Sequence, residues 1–272
     1  MFVTRLLSGI VLVLIELVTL YFSKLPLAAF LLFISLVGYL EITKTMQIRK
    51  ENERINALEI VGILGVLAYY LVLYFTGFNS YLLLVGVATF LIIMFVYVFG
   101  FPKFHATKVA TAIFSFAYAP VFLSFIYATR ELEFGIYIVW LILICSWGCD
   151  TCAYCVGVLF GKHKMAPVLS PKKSVEGAVG GVVGAALIGA LYGMFVNTKV
   201  DTGVNFIVVF AVISAVGALI SMVGDLAASA IKRNFDVKDY GKLIPGHGGV
   251  MDRFDSVIFA APVIYFLAKM FI

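Results

Sequence analysis

Apolar runs about 20 residues long recur down this chain, each closed by a short polar break, and that rhythm constrains the fold more than any single motif. A helix of about 20 residues spans the ~30 Å hydrocarbon core of a bilayer. The runs fall at 5–23, 26–44, 57–76, 80–99, 109–129, 135–160, 177–196, 204–230 and 254–271. With 63% of its 272 residues hydrophobic and 13% charged, the chain is far more apolar than a soluble domain of this size needs to be. The expected fold is all-α, a polytopic integral membrane protein of about nine transmembrane helices. The first run contains Glu16 and lacks a small-residue cleavage site, so it reads as a span rather than a removable leader. The Ser-Lys-Leu-Pro break at 23–26 makes the first two spans a tight hairpin.

The basic residues orient these spans. Of the 20 Lys and Arg residues, 16 fall in alternate segments: Arg5, the 44–54 loop, Lys103 and Lys108, the 161–176 loop and the 231–253 loop. The intervening segments keep only Lys24, Arg130, Lys199 and Lys269. Positive charge marks the cytoplasmic side, so the N-terminus is expected inside and the C-terminus outside. Both polar loops, 161–176 and 231–253, then face the cytosol. The charge run at 46–55 reads as a solvated turn or a lipid-headgroup contact. Nucleic-acid binding is not expected, because the basic residues lie in short loops and not in a folded basic domain.

The longest polar stretch, Ser229 to Asp255, carries Lys232, Arg233, Lys238, Lys242 and Arg253 together with Asp236, Asp239, Asp252 and Asp255. At its centre is Pro245-Gly246-His247-Gly248-Gly249. Glycines admit φ > 0 and let amide N–H groups approach an anion. Cations, exposed amides and carboxylates for a metal are what a nucleoside triphosphate with Mg²⁺ requires. A carboxylate inside an apolar run is costly and marks a functional candidate. Asp150 lies in the sixth span, Asp225 in the eighth and Asp255 at the start of the ninth, and all three are expected at the cytosolic end with Asp252. Hard oxygen donors of this kind suit Mg²⁺. Glu41 and Glu59 read as snorkelling carboxylates at the cytosolic edge; Glu16 is deeper and has no evident role.

A second constellation is Ser170-Pro171-Lys172-Lys173-Ser174-Val175-Glu176-Gly177. Its lysines offer point charges for phosphate. Ser174, just ahead of a helical run, reads as an N-cap, whose free N–H groups also favour anions. His247, between glycines, reads as a binding or turn residue. The four cysteines, Cys145, Cys149, Cys152 and Cys155, sit in one apolar run without a companion histidine and read as small packing residues. The Gly/Ala-rich run beginning at Gly177 reads as a close-packing helix face.

The spacing from Ser229 through Lys232-Arg233, Lys238-Asp239 and Pro245–Gly249 to Asp252-Arg253 and Asp255 resembles the signature of phosphatidate cytidylyltransferases (CDP-diacylglycerol synthases). Asp150-Thr151-Cys152-Ala153-Tyr154 and the Ser170–Gly177 segment are similar to that family as well. The resemblance is strong over roughly 140–272. It implies transfer of the cytidylyl group of CTP to phosphatidate, giving CDP-diacylglycerol and pyrophosphate. It implies a divalent metal, Mg²⁺, and a second, monovalent cation such as K⁺. Asp225 and Asp252 would be the main metal ligands, followed by Asp255 and Asp150. Asp225, Asp252, Lys172, Lys173 and Arg253 would carry the chemistry. Ser170, Ser174, Lys232, Arg233, Lys238, Asp239, Gly246, His247, Gly248 and Gly249 would bind substrate. The membrane would be the inner cell membrane, with the site on its cytoplasmic face and lipid entering sideways. Residues 1–134 would be scaffold and 135–272 the catalytic domain, and a homodimer packed through small-residue helices is an open expectation. Two other readings stay open: another CTP-using membrane lipid enzyme, such as a polyprenol kinase, and an ion-coupled secondary transporter. The transporter would place polar groups on both sides of the midplane, whereas here they cluster at one end of the spans.

Overall fold

The computed structural model describes residues 2–49 and 53–272, and side chains from residue 8 onward within them. The sequence expectations for Arg5, and for Lys50 in the 46–55 charge run, lie outside the described side chains. The helices are α1 (Phe2–Phe22), α2 (Lys24–Thr45), α3 (Ala57–Thr76), α4 (Ser80–Phe99), α5 (Ala106–Arg130), α6 (Gly135–Phe160), α7 (Val175–Asn197), α8 (Phe206–Asn234) and α9 (Met251–Phe271). Among the described residues, the eight helices α2 to α9 are long and apolar enough to cross a membrane, and the described apolar part of α1 is Ser8–Phe22. The protein is an all-α polytopic membrane protein. Between α6 and α7 two short antiparallel strands, β1 (Lys164–Ala166) and β2 (Ser170–Ser174), form a hairpin.

Among the described residues, two helices depart from α geometry. A π-helical turn at Ala117–Val121 in α5 coincides with Pro120, which has no N–H to give, and a second occupies Ile144–Gly148 in α6. The chain divides into two compact units. One draws on residues up to Ala128 and on Asn234–Arg253; the other on Thr129–Arg233 and Phe254–Ile272.

In the first unit, hydrogen bonds between helices replace the hydrophobic drive that lipid removes. Tyr70 meets Ser35 Oγ at 2.8 Å and donates to the Pro120 carbonyl at 3.1 Å, joining α2, α3 and α5. Asn56 caps α3: its Oδ1 accepts from Glu59 N at 3.1 Å, and Glu59 Oε2 accepts from Asn56 N at 3.2 Å. Glu59 also accepts from Thr43 at 3.1 Å and faces Arg49 at 3.6 Å. It is fully buried, and Glu41 is 8% exposed. Neither snorkels. The sequence expectation fails because each carboxylate finds backbone N–H donors within the protein, which removes the need to reach water.

In the second unit, α6 and α7 touch along glycines. A Cβ at Gly177 would stand 2.8 Å from the Ala153 carbonyl oxygen, one at Gly181 2.9 Å from Cys149 Sγ, and one at Gly184 2.5 Å from Cys152 Sγ. The glycine stripe and the cysteines are therefore two halves of one interface, as expected of close-packing residues. Cys145 and Cys149 are buried and their thiols point to backbone carbonyls of α8, Ser214 at 3.6 Å and Ala218 at 3.9 Å. Across from α8, Gly224 lies against the Asp255 carbonyl and the Phe259 side chain of α9.

Candidate functional site

In the second unit the packing that brings α6, α7 and α8 together leaves a cavity of about 620 Å³ beside the hairpin. Its polar lining is Asp150 from α6, Lys164, Lys172 and Lys173 from the hairpin, and Asp225 from α8. Its apolar lining includes Tyr154, Val158, Met165 and Met222. The Lys173 ammonium donates to Asp225 Oδ2, and Ser229 Oγ, one turn along α8, stands 3.4 Å from Asp225 Oδ1. Both members of the ion pair keep 24% of their side-chain surface exposed. The close approach of α8 and α9 at Gly224 sets Asp225 within electrostatic range of Asp255, which also feels Lys232 and Asp150. Three aspartates from three helices thus share one neighbourhood with the lysines of the hairpin and Lys232.

The hairpin is fastened to the start of α7. Ser174 Oγ accepts from Gly177 N at 3.1 Å, the N-cap expected from the sequence. Glu176 accepts from Lys162 N at 3.1 Å and from His163 N at 3.2 Å, and pairs with His163 Nδ1 at 2.5 Å. Lys172 is exposed and Lys173 half-buried, so the first faces solvent and the second the carboxylates. Ser170 opens β2, and Arg233 is exposed at the end of α8.

The donors suit a hard cation. Among the described residues, no three His, Cys, Asp or Glu groups form a ready-made ligand set. Mg²⁺ does not require one: it takes one or two carboxylates and completes its octahedron with water and substrate phosphates. Asp225 with Asp255 or Asp150 provides that number.

In the first unit, the glycine-rich loop folds on itself. His247 N donates to Ile244 O at 3.0 Å, and Ile244 N to Gly248 O at 2.9 Å. Gly246 and Gly248 have φ of 79° and 89°, a region that side chains disfavour. Asp252 Oδ2 accepts from Tyr240 N at 2.8 Å and Gly249 N at 2.9 Å. The anion that the Gly249 amide meets is therefore the protein's own aspartate. His247 Nδ1 stands 3.0 Å from Ser8 Oγ of α1, which also donates to the Pro245 carbonyl at 3.1 Å. Lys238, Asp239, Gly246 and Arg253 are exposed around the loop.

Two residues of this loop's setting escape the motif. Glu41 on α2 accepts from Val250 N at 3.0 Å and from Met251 N at 2.8 Å. Ser8 holds the histidine. Glu41 carried a signal, being an acidic residue in an apolar run, but its partner lies 209 residues away in sequence. Ser8 carried none.

A model of the cytidylyltransferase family matches residues 3–271. Among curated proteins, the chain is 32% identical over 165 residues to the phosphatidate cytidylyltransferase of Staphylococcus saprophyticus. It is 34% identical over 165 residues to that of Staphylococcus aureus. Each match covers 61% of this chain and 61% of the relative's own length.

Proposed function

The chain belongs to the cytidylyltransferase family, and from that premise we propose that it transfers the cytidylyl group of CTP to phosphatidate, giving CDP-diacylglycerol and pyrophosphate. A phosphate oxygen of the lipid attacks the α-phosphorus of CTP, and the bond from that phosphorus to the bridging oxygen of pyrophosphate breaks. The observation that carries this reading is the cavity of the second unit, where lysines and aspartates meet an apolar wall. A lipid phosphate needs both: a cationic grip for its head and an apolar surface for the start of its chains.

Lys172 and Lys173 grip phosphate oxygens, and their charge neutralises what builds up as pyrophosphate leaves. Asp225, with Asp255 or Asp150, would hold Mg²⁺, which would supply charge neutralisation at phosphate oxygens. A monovalent cation such as K⁺ is a further part of the reading. The Lys173 ammonium balances the Asp225 carboxylate, and its flexible stem lets it turn to a substrate phosphate. Lys232 and Arg233 add positive charge at the end of α8. In the glycine-rich loop, Gly246, His247 and Gly248 with Lys238 and Arg253 contribute to nucleotide binding, and Asp252 shapes the loop through its two amide bonds. The site faces the cytoplasm of an inner membrane, a reading supported by the distribution of Lys and Arg.

The test is pyrophosphate release by the purified chain in detergent with phosphatidate, CTP and Mg²⁺. Release that needs both lipid and CTP, fails with ATP, GTP and UTP, and is lost in Asp225→Asn is the expected result. Silence in several lipid–detergent mixtures, or release without lipid, would overturn it.

A further inference from the structure

We propose that Glu41, on a helix that the sequence reads as scaffold, is the positioning residue for the glycine-rich loop. Its two carboxylate oxygens divide between two consecutive amides, Oε1 taking Val250 N and Oε2 taking Met251 N, at the point where the loop becomes α9. These are charge-assisted bonds, about twice as strong as neutral ones, and Glu41 is 8% exposed, so little water competes. The N-terminus of a helix also favours an anion electrostatically.

The glycines carry the same message. A Cβ on Gly249 would stand 2.5 Å from Glu41 Oε1 and 2.6 Å from Oε2, and one on Gly241 would collide with Oε1. The two glycines stand 3.2 Å apart by the same measure, Cβ of Gly241 to Cα of Gly249. Both ends of the loop are thus pressed against one carboxylate, and a side chain at either position would have to displace it. Asp252 then closes the loop from within, through Tyr240 N and Gly249 N. Glu41 fixes where the loop stands, while Asp252 fixes its shape. Gly246 and His247, the part read as substrate-binding, hang from this frame.

The chemistry makes a discriminating prediction. Both oxygens accept, so the isosteric Glu41→Gln must turn an NH₂ donor toward a backbone N–H. Gln is then no better than Ala, whereas Asp, which keeps two acceptors on a shorter stem, rescues part of the function. A carboxylate that merely filled space would tolerate Gln.

The inference rests on the proposed reaction only for its kinetic arm. The experiment is hydrogen exchange by mass spectrometry on the full chain in detergent, with wild type, Glu41→Gln and Glu41→Asp, alongside CTP and phosphatidate kinetics. In Glu41→Gln, exchange should rise in peptides covering 240–251 and stay at wild-type levels in α3 and α7. The kcat should fall by at least tenfold, up to the order of 10²-fold expected of a displacement near 1 Å, with KM for phosphatidate unchanged; Glu41→Asp should fall between. Unchanged exchange over 240–251, or raised exchange with unchanged kcat, would overturn the proposal. So would loss of protection across α2 and α3 in both variants, which would make Glu41 a core staple. A wild type inactive on CTP and phosphatidate would sink the proposed reaction, and the exchange arm would still decide whether Glu41 holds the loop.

Discussion

Replacing Gly181 by alanine tests whether the fit of α6 against α7 sets the cavity. An alanine Cβ there would lie 2.9 Å from Cys149 Sγ and 3.0 Å from both Ala153 Cβ and the Cys149 carbonyl oxygen. Unstrained carbon contacts begin near 3.5 Å, so the helices must separate by roughly 0.5–1 Å. Overpacking of this kind costs ~1–3 kcal/mol, and alanine returns up to ~1 kcal/mol through its helix propensity. The net destabilisation is ~0–2 kcal/mol, or a fall of a few degrees in melting temperature at about 2–4 °C per kcal/mol. Activity should suffer more than stability. α6 carries Asp150, and α7 is continuous with the hairpin that bears Lys172 and Lys173, so a shift of this size misplaces reacting groups and costs about 10- to 100-fold in kcat. Gly86→Ala is the control, since nothing lies within 4 Å of its Cβ position; it should melt at or above wild type with full activity. Adding Cys149→Ala to Gly181→Ala should recover part of the loss by removing Sγ, but not all, because Ala153 and the carbonyl remain. The assay is thermal melting in detergent beside pyrophosphate release. A Gly181→Ala protein that matches Gly86→Ala in both would refute the reasoning.

If Asp225 holds the metal as proposed, Asp225→Asn should lower kcat/KM by about 10²-fold or more, and Lys173→Arg should retain more activity than Lys173→Met because it keeps the charge facing Asp225. Glu176→Gln should raise hydrogen exchange at Lys162 and His163, whose amides Glu176 accepts, and raise KM for substrate phosphate while leaving α7 protected beyond its first turn. Single cysteines placed at Lys238 and at Thr198 in a cysteine-free background should label from opposite sides of sealed vesicles; labelling from one side would overturn the orientation read from the basic residues.

Much of this architecture is readable in the sequence because bilayer physics acts on contiguous residues. The apolar runs locate the helices, and α3 and α4 begin and end where their runs do. The Ser174 cap is legible for the same reason, and so are the glycine stripe and the cysteines as packing residues, though their meeting across α6 and α7 is not. The ion pair of Lys173 with Asp225 is half-legible. Both residues stand out as charges beside spans, but nothing in the sequence pairs residues 52 positions apart. Glu41 was visible and misread. The cost of a buried carboxylate is a property of one residue, whereas its relief depends on which backbone the fold delivers, and here that backbone comes from 209 residues further on. The Gly249 amide fails in the opposite way. A glycine-flanked N–H is ready for an anion, and the motif does not say whether the anion is a ligand or Asp252.

The buried and half-buried carboxylates therefore fall into two physical classes, and the division sharpens the rule that an acidic residue in a membrane span is functional. Glu41, Glu59 and Asp252 each accept from two or more donors, backbone N–H among them. Such donors cannot leave without unfolding the loop or helix end that offers them, so each of these charges holds local backbone in place. Asp225 instead faces the ammonium of Lys173, carried on a flexible four-carbon stem at the end of a two-stranded hairpin. An ammonium on a rotatable stem can move away at the cost of a side-chain rearrangement, leaving every backbone hydrogen bond in place. Exchangeability of the partner, more than burial of the acid, separates Asp225 from the carboxylates that hold backbone.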